Sequence, residues 1–435
     1  MKASYIKNAL LKSINFMQRN RSGFVRHPNR DFSRKRKCSF DSLFLLLLTM
    51  EANSLNHELR RFFSKDGACV MSKSALVQQR AKLNDEAFPF LFHRLNKLFP
   101  FRKLYNGYHL LACDGSDINI PPLEGDGDTR IDSNTEGVSY HQIHLNAIYD
   151  ILEERYLDIL PQKRALLNER DALLEFVKRN PLAGKSLYIA DRGYFSLNVL
   201  AYLIMSSSSF LLRINFSEIH SSFINRFDLP DADEFDTDLD FYVVRSNKKK
   251  YRDHPGKYVY IKKDQAFDFI PEGDTTTLYP ISVRLVRILL PDGGEEYLLT
   301  DLSRDEFDIA ELRKLYNLRW GIETSFRFLK YNVALNSFHS VRRDFIIQEL
   351  YARVILFNLT MLLAHTVNPP ARKRKYDYKI SVSDAVITCR QFLIQKIKNT
   401  EIEACLLRYL TEIRPGRSFS RKKRSKRFVP LTNRA

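Results

Sequence analysis

"YNLRWGIETSFRFLKYN", residues 316–332, is the stretch on which the reading of this chain turns. At about 100° per residue, Leu315, Leu318, Ile322, Phe326 and Leu329 collect in an arc of roughly 80°, the apolar stripe of a helix lying on a core. Arg319, Glu323 and Lys330 fall with Tyr316 in a neighbouring arc of about 60°, because their spacings are close to whole turns. Arg327 and Trp320, the only tryptophan of the chain, border that arc. A solvated face laced with ion pairs and a face that does chemistry fit this segment equally well. The surrounding chain has to decide between them.

Working outward, residues 107–210 alternate short apolar runs with turns. "YHLLACDGSDINI", "HQIHLNAIYDIL", "RYLDILPQ" and "KSLYIADRGYF" have the aromatic and aliphatic content of strands. "NERDALLEFVKRN" at 168–180 and "SLNVLAYLIMSS" at 196–207 read as helices. Strands followed by helix, strand, helix predict a mixed α/β sheet with helices packed on it. A second strand-rich stretch, 210–300, holds "FLLRIN", "FYVVRS", "KYVYIKK", "LYPISVRLVRILL" and "EEYLLTDL" with no long helix between them. It reads as a β-rich insertion, followed by the helix quoted above and another at 344–365. Residues 1–100 read as helices, at 41–51, 53–64 and 72–84. In "SKSALVQQRAKLN" at 72–84, Lys73, Gln78, Gln79, Arg80 and Lys82 are displayed either to DNA or simply to solvent.

Composition narrows the partner. The chain has 435 residues, 44% hydrophobic and 28% charged, which is ordinary for a globular protein. Its 69 Lys plus Arg against 51 Asp plus Glu leave a net charge of +18, which points to a polyanion, nucleic acid first. The apolar run "LFLLLL" at 43–48 is too short to cross a bilayer, and the N-terminal segment has no secretory cleavage pattern. The expectation is a cytoplasmic, nucleoid-associated protein with no membrane partner. Five scattered cysteines without a CxxC pair indicate neither disulfides nor structural zinc. His141 and His144, three apart on a strand, point to opposite faces and do not form a metal site. The acidic block "DLPDADEFDTDLD" at 228–240 reads as a solvated loop. The basic runs "RKRK" at 372–375 and "RSFSRKKRSKRF" at 417–428 suit phosphate contact or a disordered tail.

Asp114 closes the apolar run "HLLACD" and Asp191 closes "SLYIAD". Each alone is an ordinary turn signal. If the two strands end side by side, their carboxylates stand close together, and Glu323 on the polar helix face supplies a third oxygen donor of the kind hard divalent cations prefer.

With those residues in hand the chain resembles the DDE transposases of bacterial insertion sequences, and more narrowly the group marked by a Tyr-x2-Arg-x3-Glu-x6-Lys signature. Tyr316, Arg319, Glu323 and Lys330 match that signature without a gap. "ACDGSDINI" and "YIADRGYFS" resemble the segments carrying the two aspartates, and "SKSALVQQRAKLNDEAFPFLF" and "IRPGRSFSR" also look like family sequence. The resemblance implies a ribonuclease-H-like mixed sheet flanked by helices, a β-rich insertion between the second aspartate and the glutamate, and a helical N-terminal domain. It divides the chain into 1–104 (helical, DNA-binding), 105–209 (catalytic core, first part), 210–300 (insertion), 301–368 (core, second part) and 369–435 (basic C-terminal region). It further implies that Asp114, Asp191 and Glu323 are catalytic and hold two magnesium or manganese ions. Tyr316, Arg319 and Lys330 would contact DNA, as would Trp320 and Arg327 beside them; Trp320 stacks on an extruded base or simply packs. The implied partners are double-stranded DNA, as transposon inverted repeats and target, and a second copy of the chain in the synaptic complex. Asp117 and Asp301 remain as further carboxylates near the motifs. A non-catalytic DNA-binding protein and a metal-dependent nuclease without strand transfer remain the alternatives.

Overall fold

The structure, a computed structural model, describes residues 2–34, 36–63, 71–123, 125–132, 139–179, 182–216, 223–290, 293–370 and 376–414. The basic runs at 372–375 and 417–428 lie outside the described residues.

Among the described residues five α-helices open the chain: α1 (Ala3–Arg19), α2 (Phe40–Thr49), α3 (Leu55–Phe63), α4 (Lys73–Arg80) and α5 (Ala87–Leu98). Ser39 and Ser72 start α2 and α4 by accepting hydrogen bonds from the backbone N–H groups of Ser42 and Ala75, donors that a helix start leaves unpaired. Strands β1 (Tyr108–Ile120), β2 (Arg130–Asp132), β3 (Ser139–Asp150) and β4 (Arg155–Lys163) follow. After them come α6 (Glu169–Arg179), β5 (Lys185–Ala190), α7 (Leu197–Met205) and β6 (Ser209–Ile214). The stretch before the second half of the core supplies β7 (Phe235–Val244), the single turn α8 (Lys249–Arg252), β8 (Tyr258–Tyr260), β9 (Tyr279–Leu289) and β10 (Glu295–Thr300). The chain then runs through α9 (Ile309–Leu318), α10 (Trp320–Tyr331), α11 (Arg343–Ala364), β11 (Asp377–Ile380), α12 (Val382–Leu393), α13 (Ile402–Arg408) and β12 (Leu410–Ile413).

One large mixed sheet organises these elements. Its order is β2-β3-β1-β5-β6-β10-β9-β7-β8, with β4 also on β3. The first pairing, β1 with β3, is antiparallel, whereas β5 and β6 run parallel to β1. Strands β10, β9 and β7 extend the same sheet in antiparallel order.

Alternation along β1 sends Leu111 and Cys113 to one face and Leu110 and Ala112 to the other. The Leu111 face packs on α6 and α7 through Leu173, Phe176, Val199 and Leu203. The opposite face is covered by α9 through Leu312 and Leu315, and by α10 through Ile322, Phe326 and Leu329. That second core is continuous with α1, α2, α5, α11 and α12, so the N-terminal helices share one apolar interior with the sheet. Helix α11 is long and apolar enough to span a bilayer, but its apolar window is 94% buried between protein layers, as a central core helix is.

Three local expectations are corrected. The quoted segment is not one helix: α9 ends at Leu318 and α10 begins at Trp320, with Arg319 at the joint. In the loop expected at 228–240, the second half is strand β7, and Asp236 on it is paired with Arg284 at 2.6 Å and Arg304 at 3.0 Å. On α4, Arg80 does not face outward; it is 1% exposed and bound to Glu349 on α11 at 2.7 Å, and Gln79 beside it is also buried.

Candidate active site

The register of two parallel strands sets the position of two aspartates. β1 and β5 pair residue for residue up to Cys113 and Ala190. Asp114 and Asp191 are the next residue on each, side by side at the point where the parallel pair parts, and adjacent strands lie about 4.8 Å apart. β5 stops there because the backbone turns at Asp191, whose Oδ1 accepts from the Arg192 N–H at 2.7 Å. β1 does not stop. It runs on to Ile120 paired with β3, and Asp114, expected at a strand end, lies in mid-strand opposite Ala147, with Oδ1 accepting from the Gly115 N–H at 2.9 Å.

Helices α9 and α10 bring the signature residues over this edge. Arg319, at their joint, is almost wholly buried and places its guanidinium between the acids: Nη1 is 3.7 Å from Asp114 Oδ2 and Nη2 is 3.1 Å from Glu323 Oε1. The rings of Tyr316 and Trp320 stand 5.4 and 5.5 Å from its Cζ. The Tyr316 hydroxyl donates to Asp191 Oδ1 at 3.4 Å. Asp114 and Glu323 are therefore joined through Arg319, and Asp191 is tied to the same helices through Tyr316, residues of four elements. Trp320 flanks Arg319 with 46% of its surface exposed. Arg327 is exposed on α10, and Lys330, one turn further on, is half-buried, its charge disfavoured by burial against the pull of Asp117.

Burial, together with the charges of Glu323 and Asp191, pushes the Asp114 carboxyl up to about 6 against the opposing pull of Arg319 and the Gly115 N–H. Burial disfavours the charged Arg319, but Tyr316, Asp114, Asp191 and Glu323 together hold its pKa above the ordinary value. The acids need a cation and the guanidinium supplies one. Among the described residues no three His, Cys, Asp or Glu side chains stand close enough together to hold a metal ion.

Several neighbours carry no motif that flags them. Arg213, inside the apolar run "FLLRIN", reaches Asp191 at 3.8 Å and Glu296 at 3.4 Å. His144 sits opposite Asp117 in the β1–β3 register and binds its carboxylate at 2.7 Å, while its other ring nitrogen is 3.7 Å from Glu169 on α6. Asp117 is thus committed to His144, and Asp301 to the Phe210 N–H at 2.9 Å, so neither joins the three acids. An arginine within an apolar strand was the one available sign for Arg213.

The His144 ring lies across Gly115, next to Asp114. A Cβ at Gly115 would come within 2.1 Å of Nε2. Gly115→Ala should therefore displace the ring and cost about 1–3 kcal/mol, read as a lower urea midpoint. An unchanged midpoint would show that the close packing is not there.

The family model of the transposase DDE domain matches residues 105–359. No curated protein matches. Among solved structures, a piggyBac transposase in a synaptic complex with hairpin DNA is similar over 96% of this chain and 87% of that one, at 12% identity and a TM-score of 0.47. With the match spanning β1 to α11 and containing all three acids, the chain belongs to the DDE-domain transposase family.

Proposed function

We propose that the chain is an insertion-sequence transposase of the Tyr-x2-Arg-x3-Glu-x6-Lys group that cuts DNA at transposon end repeats and joins the freed ends to target DNA. One observation carries this reading: Asp114 and Asp191 each follow the last paired residue of the parallel strands β1 and β5, with Glu323 linked to Asp114 through Arg319. The order β4-β3-β1-β5-β6 supports a ribonuclease-H-like core, with β7 to β9 inserted between the second aspartate and the glutamate.

The donors, three carboxylates, are of the chemistry a divalent cation such as magnesium or manganese takes, while as placed around Arg319 they do not close on one ion. The Arg319 guanidinium now satisfies two of the carboxylates in a cation's stead. Asp114, Asp191 and Glu323 would hold the ions, which supply Lewis acidity and an activated oxygen nucleophile at a phosphodiester. The chain's own residues do the rest. Withdrawal of Arg319 from the acids frees a guanidinium to take a phosphate in two parallel hydrogen bonds. Tyr316 positions the Asp191 carboxylate through its hydroxyl. Trp320, half exposed beside Arg319, offers a ring face to an unstacked base. The net charge of +18 draws the DNA backbone toward a site that is otherwise acidic. The synapse would pair two copies of the chain, one on each element end, in the bacterial cytoplasm.

Incubation with paired element ends, magnesium and a supercoiled target plasmid tests the reading. Joined end–target products are expected. Cleaved ends without joining would make the protein a nuclease, and shifted but uncut DNA would make it a binding protein.

A further inference from the structure

Beyond the point where β5 ends, β1, β3 and the end of β4 continue as a three-stranded ledge. Asp117 and His144 face each other across β1 and β3 on this ledge. Arg164, the first residue after β4, places Nε 3.4 Å from Asp117 Oδ1, and His144 Nδ1 is 2.7 Å from the same oxygen. Lys330, half-buried on α10, is held below the ordinary lysine value by burial, with the Asp117 charge opposing that shift. Asp117 and Arg164 are open to solvent, at 37% and 36% side-chain exposure, whereas His144 is 7% exposed and wedged against Gly115 and Glu169.

Arg164 and His144, from different elements, thus converge on one anionic oxygen at the surface, three residues along the strand from Asp114. His144 pins that oxygen from beneath. On the open side of the cluster Arg164 stands against Asp117, each about a third exposed. A carboxylate held this way does what a phosphate oxygen would do: it keeps a long, entropically costly cationic side chain in place before the ligand arrives.

We propose that Arg164 is a phosphate-binding station for DNA drawn to this face of the protein, with the His144-pinned Asp117 as its built-in counter-anion. The proposal rests on the transposase reading and deepens it. Arg164 is assigned a backbone contact, and Asp117 is assigned to organising that contact and weakening it, rather than to metal binding. Phosphate contacts position DNA without reading its sequence, so the station would serve end and target DNA alike.

The two substitutions have opposite expected signs. Each neutralised phosphate contributes about 0.9 to the slope of log affinity against log salt. With a fluorescein-labelled 40-base-pair duplex of arbitrary sequence, Arg164→Ala should lower that slope by about one and weaken binding several-fold near physiological salt. Asp117→Asn keeps an oxygen for His144 but removes the competing charge, so it should tighten binding several-fold. Lys250→Ala, on the exposed turn α8 of the insertion, serves as a reference for generic loss of one surface charge. Unfolding midpoints should stay close to that of the unaltered protein. If Arg164→Ala matches the Lys250→Ala reference, or if Asp117→Asn weakens binding, the station is refuted while the transposase reading stands. If the unaltered protein binds no duplex at all, the transposase reading itself fails.

Discussion

Glu323→Gln is expected to leave DNA affinity within a few-fold and to lower strand cleavage by on the order of 10²–10³, the scale on which removal of one charged or dipolar group at a reacting centre is felt. The change is nearly isosteric. Glu323 is partly exposed on α10 and packs no core, since the apolar face of the helix is carried by Ile322, Phe326 and Leu329. Its amide oxygen can still accept from Arg319, which now donates to Oε1 at 3.1 Å, so the α9–α10 joint should survive. What disappears is one of the three negative charges that burial and crowding have already made costly to keep at this edge, the cost visible in the raised Asp114. Asp301→Asn is the matched control. That carboxyl lies just beyond β10 and is engaged by the Phe210 N–H, away from the cluster, and its substitution should spare cleavage. End-labelled cleavage and gel-shift titrations measured together separate the outcomes. Near-native cutting by Glu323→Gln would remove Glu323 from the site, and lost binding would make it a structural residue.

The helix that carries Glu323 was legible because its apolar stripe and its polar signature arc are two readings of one period. Ile322, Phe326 and Leu329 are buried as that period requires. The joint at Arg319 was not legible. Its φ and ψ remain helical and only the hydrogen bonds tighten, with Arg319 N–H on Tyr316 O and Ile322 N–H on Arg319 O, three residues back instead of four. Nothing in residue type marks that change, yet it sets the side chain of Arg319 between two acids. Asp114 shows a different limit. Asp-Gly after an apolar run is a turn signal, but pairing with β3 carries the strand through it, and register is a property of two strands that one segment cannot display.

Long-range charge pairing accounts for the other differences. In 235–241 the burial of Phe235, Leu239 and Phe241 has the strand period, while Asp236, Asp238 and Asp240 between them read as a solvated loop. What makes the strand tolerable is Arg284 and Arg304, which neutralise Asp236 from later in the chain. His144, Arg164 and Asp117 likewise gain meaning only when β1, β3 and β4 lie together. Arg80 is the extreme case, because a buried guanidinium is excluded by composition rules until its partner, 269 residues away, is known.

That partner fixes the largest stability effect expected of a single substitution. Glu349 on α11 is 1% exposed and binds Arg80 at 2.7 Å, while the His339 N–H donates to it at 3.0 Å and His339 Nδ1 lies 3.2 Å away. Arg80 also donates to Phe345 O and Gln348 Oε1, and Arg353 in the same layer donates to Met50 O, so α4 and the end of α2 are clamped to α11 by buried charge. Burial alone would raise the Glu349 carboxyl, but Arg80, His339 and Arg353 hold it down to about 2, from an ordinary 4.5. A depressed carboxyl stabilises the folded state fully above its unfolded value and loses that contribution as pH falls from about 4.5 toward 2, a linkage worth roughly 3 kcal/mol when complete. Glu349→Ala leaves Arg80 buried without its anion and should cost about 3–5 kcal/mol at pH 7. Urea unfolding at pH 7 and pH 3 checks both statements. The gap between the unaltered protein and Glu349→Ala should shrink by about half at pH 3, where much of the carboxylate's linkage is already spent. A gap equal at the two pH values would mean that the ionised form of Glu349 is not what clamps the helices.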